Sequence, residues 1–70
     1  MSATPEQFQA HHDAYLAWQA AGVAYWAMIE EIRAGRPVDP GHREHVLSVF
    51  DDTHKAWMRA GEPLTWPRRT

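Results

Sequence analysis

Ala14-Tyr15-Leu16-Ala17-Trp18-Gln19-Ala20-Ala21-Gly22-Val23-Ala24-Tyr25-Trp26-Ala27-Met28-Ile29 carries no charge, and Gln19 is its one strongly polar side chain. Alanine and the other good helix formers dominate it, and Gly22 is its single weak point. The stretch is shorter than the ~20 apolar residues of a membrane span, and much of it is alanine, so no span is expected. Read at helical spacing it holds two seams. One runs Trp18, Gly22, Tyr25, Ile29, Ile32. The other extends upstream as Ala10, Ala14, Ala17, Ala21, Ala24, with Tyr15, Leu16, Val23 and Trp26 filling the gaps. A helix that is apolar round most of its circumference is buried on more than one side.

Outward from this stretch, both helix ends carry local signals. Thr4 is a suitable N-cap, Pro5 takes the first helical position, and Gln7 completes a capping box. At the other end Arg33 sits in the last turn, Gly35 suits a left-handed exit and Pro37 stops the helix. A first helix over about 5–34 follows. The connection 35–39 has the length that joins antiparallel neighbours. Asp39-Pro40 repeats the entry signal, and a second helix runs over about 40–60, where Gly61 and Pro63 end it. Val46, Val49, Phe50, Thr53, Trp57 and Ala60 make its apolar stripe, widened by Leu47 and Met58. Arg43, Ser48, Asp51, Asp52, Lys55 and Arg59 face water. Residues 61–70 form a short tail expected to fold back over the start of the first helix. There Trp66 either caps Phe8 and His12 or anchors a partner.

The expected fold is therefore all-α: a single domain over 1–70, an antiparallel two-helix hairpin with a short C-terminal tail. The second helix covers only one side of the first. The remaining apolar face is larger than monomers usually tolerate, which points to a homodimeric four-helix bundle with the first helix central. The seam Ala10, Ala14, Ala17, Ala21, Ala24 would let two backbones approach closely. The rival reading docks this face on a different protein.

Composition narrows the function. Seventy residues hide only ~60% of the surface their unfolded form exposes, and small scaffolds compensate with disulfides, a metal or oligomerisation. Cysteine is absent, which removes disulfides and thiolate metal sites. With 44% hydrophobic residues and four tryptophans the chain is too apolar for disorder. A formal net charge of -2, with basic residues scattered among acids, argues against nucleic acid. Arg33, Arg36 and Arg43 around the turn are the only basic group to consider. Met1 to Glu6 lacks the basic start and apolar run of a signal peptide, and a cytoplasmic location is expected.

Five histidines raise a metal question. His42 and His45 share a face of the second helix, and in a hairpin with this turn facing residue numbers sum to about 75. Glu30 and Glu31 then lie beside His42 and His45, a donor set for zinc or open-site iron. Surface hydrogen bonding is the plainer reading of the same residues. Adjacent His11 and His12 point about 100° apart and do not chelate together. Asp51 and His54 make an acid–base pair or an ordinary helix pair, and no nucleophile is placed beside either member. By the same sum Trp18 faces Trp57. The expected function is a small non-enzymatic protein–protein interaction module that self-associates and binds or regulates another macromolecule, with no cofactor. The alternative is a metal-binding module using His42, His45, Glu30 and Glu31.

Overall fold

The computed structural model describes residues 3–65. Two α-helices, α1 (Pro5–Arg33) and α2 (Pro40–Thr65), pack against each other as a hairpin, and no strand occurs among the described residues. α1 begins as its cap predicts. The Thr4 hydroxyl accepts from Gln7 N–H at 3.1 Å, and Thr4 N–H donates to Gln7 Oε1 at 2.8 Å. Two of the donors a helix start leaves open are thereby satisfied reciprocally.

The exit from α1 is a complete Schellman motif. Gly35 takes φ +82, Gly35 N–H donates to Ile32 O and Arg36 N–H donates to Glu31 O, each at 3.0 Å. A hydrophobic contact often joins the two residues bracketing such a turn. Here a two-pronged ion pair takes its place, with Arg36 Nε and Nη2 at 2.6 and 2.9 Å from the Glu31 carboxylate. Asp39 caps α2, its carboxylate accepting from His42 N–H at 3.1 Å.

The contact stripe of α1 runs His11, Ala14, Trp18, Ala21, Tyr25, Met28, and every member is half-buried or buried. That of α2 runs Val46, Phe50, Thr53, Trp57, Ala60, Leu64, again all half-buried or buried. Both repeat at alternating steps of three and four, the seam of two helices packed nearly parallel or antiparallel. The facing sum of 75 is met twice: Trp18 stacks on Trp57 with ring centroids 4.7 Å apart, and Tyr25 stacks on Phe50 at 4.9 Å. The half-buried Thr53 hydroxyl donates back to Val49 O at 2.7 Å, so it adds no unpaired polar group to the seam.

Two expectations are revised. The stripe on α1 is neither of the seams read from the sequence. It takes Trp18 and Tyr25 from one, Ala14 and Ala21 from the other, and adds His11 and Met28. Alternating large and small side chains lets α2 close in on both. The second helix also continues beyond Ala60, through Gly61 and Pro63 to Thr65. Gly61 is a contact glycine rather than an exit: a Cβ there would stand 3.4 Å from the His11 ring. Pro63 and Leu64 are half-buried in the same turn. Packing against the start of α1 outweighs the hydrogen bond that proline forfeits. The α1 expectation, about 5–34, matches to within one residue.

Candidate interaction surface

The hairpin has a thin core. Ala21, Met28 and Val46 are the buried hydrophobic residues among those described. Two helices in contact along one stripe each leave the greater part of their circumference outside. On α2 that outer part is mostly polar, with Arg43, Ser48, Asp51, Asp52, Lys55 and Arg59 all exposed, although Leu47 and Met58 are exposed beside them. On α1 it is apolar. Phe8, Leu16, Val23 and Trp26 are exposed, Val23 to 72% and Trp26 to 58%.

Their placement follows from helical geometry. At about 100° per residue, positions 12, 16, 19, 23, 26 and 30 centre half a turn from Ala21, on the side of α1 away from the buried stripe. Leu16, Gln19, Ala20, Gly22, Val23 and Trp26 line a shallow groove there. A second groove, lined by Tyr15, Trp18, Gln19, Gly22, Trp26 and Phe50, shares Gln19, Gly22 and Trp26 with it and runs into the helix–helix seam. Gln19, exposed, donates its amide to the Tyr15 hydroxyl at 3.0 Å. No charged residue interrupts this surface between Asp13 and Glu30.

The alanines proposed for self-association divide. Ala21 is buried and Ala14 half-buried, both on the stripe that meets α2, whereas Ala10, Ala17 and Ala24 are exposed. The five residues therefore do not present one continuous outer seam. The outer face of Leu16, Val23 and Trp26 was present in the sequence as the residues between the seams. The signal that finds it is the phase opposite to Ala14, Trp18, Ala21, Tyr25 and Met28.

Of the proposed metal donors, Glu31 and His42 line one shallow groove, but the full set is not assembled. Among the described residues no group of three histidine or carboxylate side chains could hold an ion. Glu31 is engaged by Arg36, whose hydrogen bonds hold its carboxyl below the usual range. Glu30 meets Arg33 at 3.7 Å. His42 and His45 are exposed on the first turns of α2. The facing rule placed the backbones correctly, but the Schellman turn hands Glu31 to Arg36 instead.

The other polar pairs also resolve into structural contacts. Asp51 pairs with Lys55 at 3.0 Å, and the His54 ring lies 4.9 Å from Trp18. Asp13 accepts from Gln9 at 2.9 Å, and the His11 ring lies 5.8 Å from Trp57. These imidazoles extend the stacked tryptophans into an aromatic cluster. The Nε1 atoms of Trp18 and Trp57 are both shut off from solvent with no acceptor among the described residues. Each such donor costs about 1–3 kcal/mol, so the cluster is held by stacking and apolar contact rather than by polar pairing.

Trp66, read as a partner anchor, lies outside the described residues. No described helix is long and apolar enough to cross a membrane. The chain matches no known protein family, and no characterised protein or solved structure is detectably similar to it.

Proposed function

We propose that this chain is a small, non-enzymatic protein–protein interaction module that self-associates and, so assembled, binds or regulates another macromolecule as an accessory subunit or small inhibitor protein. One observation carries the reading: the hairpin buries Ala21, Met28 and Val46 but leaves Phe8, Leu16, Val23 and Trp26 exposed on one helix. Large apolar side chains left exposed together on one helix support an interaction site. It is also what a short chain without cysteine needs in order to add to its own stability. Burial of such surface contributes about 25 cal/mol per Å², so a few hundred Å² matter beside a core this small. The functional surface toward the other macromolecule is then the outer side of α2, where Leu47 and Met58 are exposed among the charged residues and which self-association leaves in water.

The test is absolute mass by light scattering after size exclusion, over a range of concentrations. A mass of twice the 8.1 kDa chain, or a higher multiple, is expected. A helical monomer at every concentration overturns the self-association.

A further inference from the structure

We infer that a groove toward the C-terminal end of α2 binds a soft monovalent metal ion, copper(I) or its analogue silver(I), through the His11 imidazole and the Met58 thioether beside the Trp57 indole. His11, Trp57, Met58, Gly61 and Glu62 line this groove together. It shares no residue with the groove on the outer face of α1, and it stands independently of the self-association proposed above.

Helical spacing builds the groove. Met58 and Gly61 are three apart on α2, and Trp57 and Gly61 four apart, so all three are surface neighbours. Glycine leaves the floor bare, and the His11 ring from α1 settles over it. A Cβ on Gly61 would stand 3.4 Å from His11 Cδ2 and 3.6 Å from its Nε2. The imidazole nitrogen is thereby carried across the seam into the groove that Met58 also lines. Trp57 is held by its stack on Trp18, and its ring centroid lies 5.8 Å from that of His11.

The donor types choose the ion. A thioether is a soft ligand that selects copper(I) over hard cations, and imidazole accepts copper as readily as zinc. The indole beside them attracts a cation held within about 6 Å of its centroid. No group of three histidine or carboxylate side chains forms among the described residues, so zinc finds no comparable set. Of the three methionines, Met28 is buried, Met1 lies outside the described residues and Met58 is 57% exposed. Met58 is therefore the described thioether that an ion from solution can reach, and its unbranched side chain lets the sulfur adjust to the ion. The neighbouring His12 is exposed and points about 100° away from His11 round the helix.

The test is anaerobic titration of the full chain with copper(I) against a competing copper(I) chelator, followed by tryptophan emission. One ion per chain is expected to bind and to quench the emission, because it sits beside Trp57. Met58→Leu conserves volume at an exposed position, and circular dichroism checks that the helices persist. It should weaken binding by more than the ~10-fold that loss of a ligand's supporting partner costs, whereas His12→Ala should leave binding unchanged. X-ray absorption at the copper edge of the unmodified chain should show sulfur bound to the ion. Failure of the parent chain to bind copper(I), equal binding by Met58→Leu, or copper surrounded by nitrogen and oxygen alone would overturn the site. Loss of binding with His12→Ala, or displacement of the copper by zinc, would overturn it as well.

Discussion

Val23→Lys separates the hairpin from its assembly with opposite signs. Val23 is 72% exposed in the hairpin, so the substitution removes almost no intramolecular contact. Lysine is intrinsically a slightly better helix residue than valine, and the isolated hairpin should melt at the same temperature or a little higher. In the assembled state the same side chain is covered. Full burial of a valine is worth ~1.5–3 kcal/mol, of which about 1–2 kcal/mol per copy remains to be gained on association. The two-fold doubles this to about 2–4 kcal/mol per dimer. At about 1.4 kcal/mol per tenfold, the dissociation constant rises ~30- to 700-fold, before any cost of desolvating the ammonium group. Sedimentation over a concentration series measures the constant, and circular dichroism at the lowest concentration measures the hairpin. A dissociation constant changed by less than about threefold would refute the reasoning, because Val23 could not then lie under a partner. A collapse of helicity in the monomer would refute it differently, by showing that Val23 already packs within the chain.

Three further outcomes are expected. Ala21→Glu puts an unpaired charge into the sealed part of the hairpin, costing several kcal/mol of a marginal total, and should abolish cooperative melting; Ala17→Glu and Ser48→Glu, both exposed, should leave the hairpin folded, and equal melting of all three would disprove the contact stripe. Gly61→Ala should stabilise by about 0.5–1 kcal/mol, since the helical backbone and the 3.4 Å approach to His11 both accept a methyl group; Gly35→Ala, at φ +82, should destabilise by about 1 kcal/mol, and chemical denaturation that gave both changes the same sign would contradict the glycine assignments. Glu31, its folded pKa lowered by Arg36, contributes stability that is complete above the ordinary glutamate value of 4.5 and is lost as pH falls through the lower folded value; Arg36→Ala should therefore melt earlier than the parent at neutral pH and converge with it in acid, and parallel curves at every pH would show the pair to be idle.

The histidine and aromatic positions show how far facing residues could be inferred. Once the turn length is known, an antiparallel hairpin assigns neighbours by their sum, which is why Trp18 with Trp57 was legible from the chain. The same rule put Glu30 and Glu31 beside His42 and His45 without saying which partner each carboxylate would choose. That choice fell to Arg36, placed by the Schellman turn within two hydrogen bonds of Glu31. A charged guanidinium already held in register satisfies the carboxylate locally, and the histidines remain at the surface.

By itself the sequence determined the helices, their caps and the hairpin, because these depend on bonds spanning a few residues: Thr4 with Gln7, Gly35 with Ile32, Asp39 with His42. It also determined that α1 carries more apolar surface than α2 can cover, because that is a matter of composition and period. The tertiary structure decided which of the apolar stripes on α1 is spent inside the chain. On a helix apolar nearly all round, several phases bury similar area, and only the shape of the partner selects among them. α2 presents Phe50, Trp57 and Ala60, and these fit an alternation of Ala14, Trp18, Ala21, Tyr25 and Met28 rather than a seam of alanines. The tertiary structure likewise carried α2 past Gly61 and Pro63, where contact with the start of α1 outweighs local stop signals that cost only one backbone hydrogen bond and a little chain entropy.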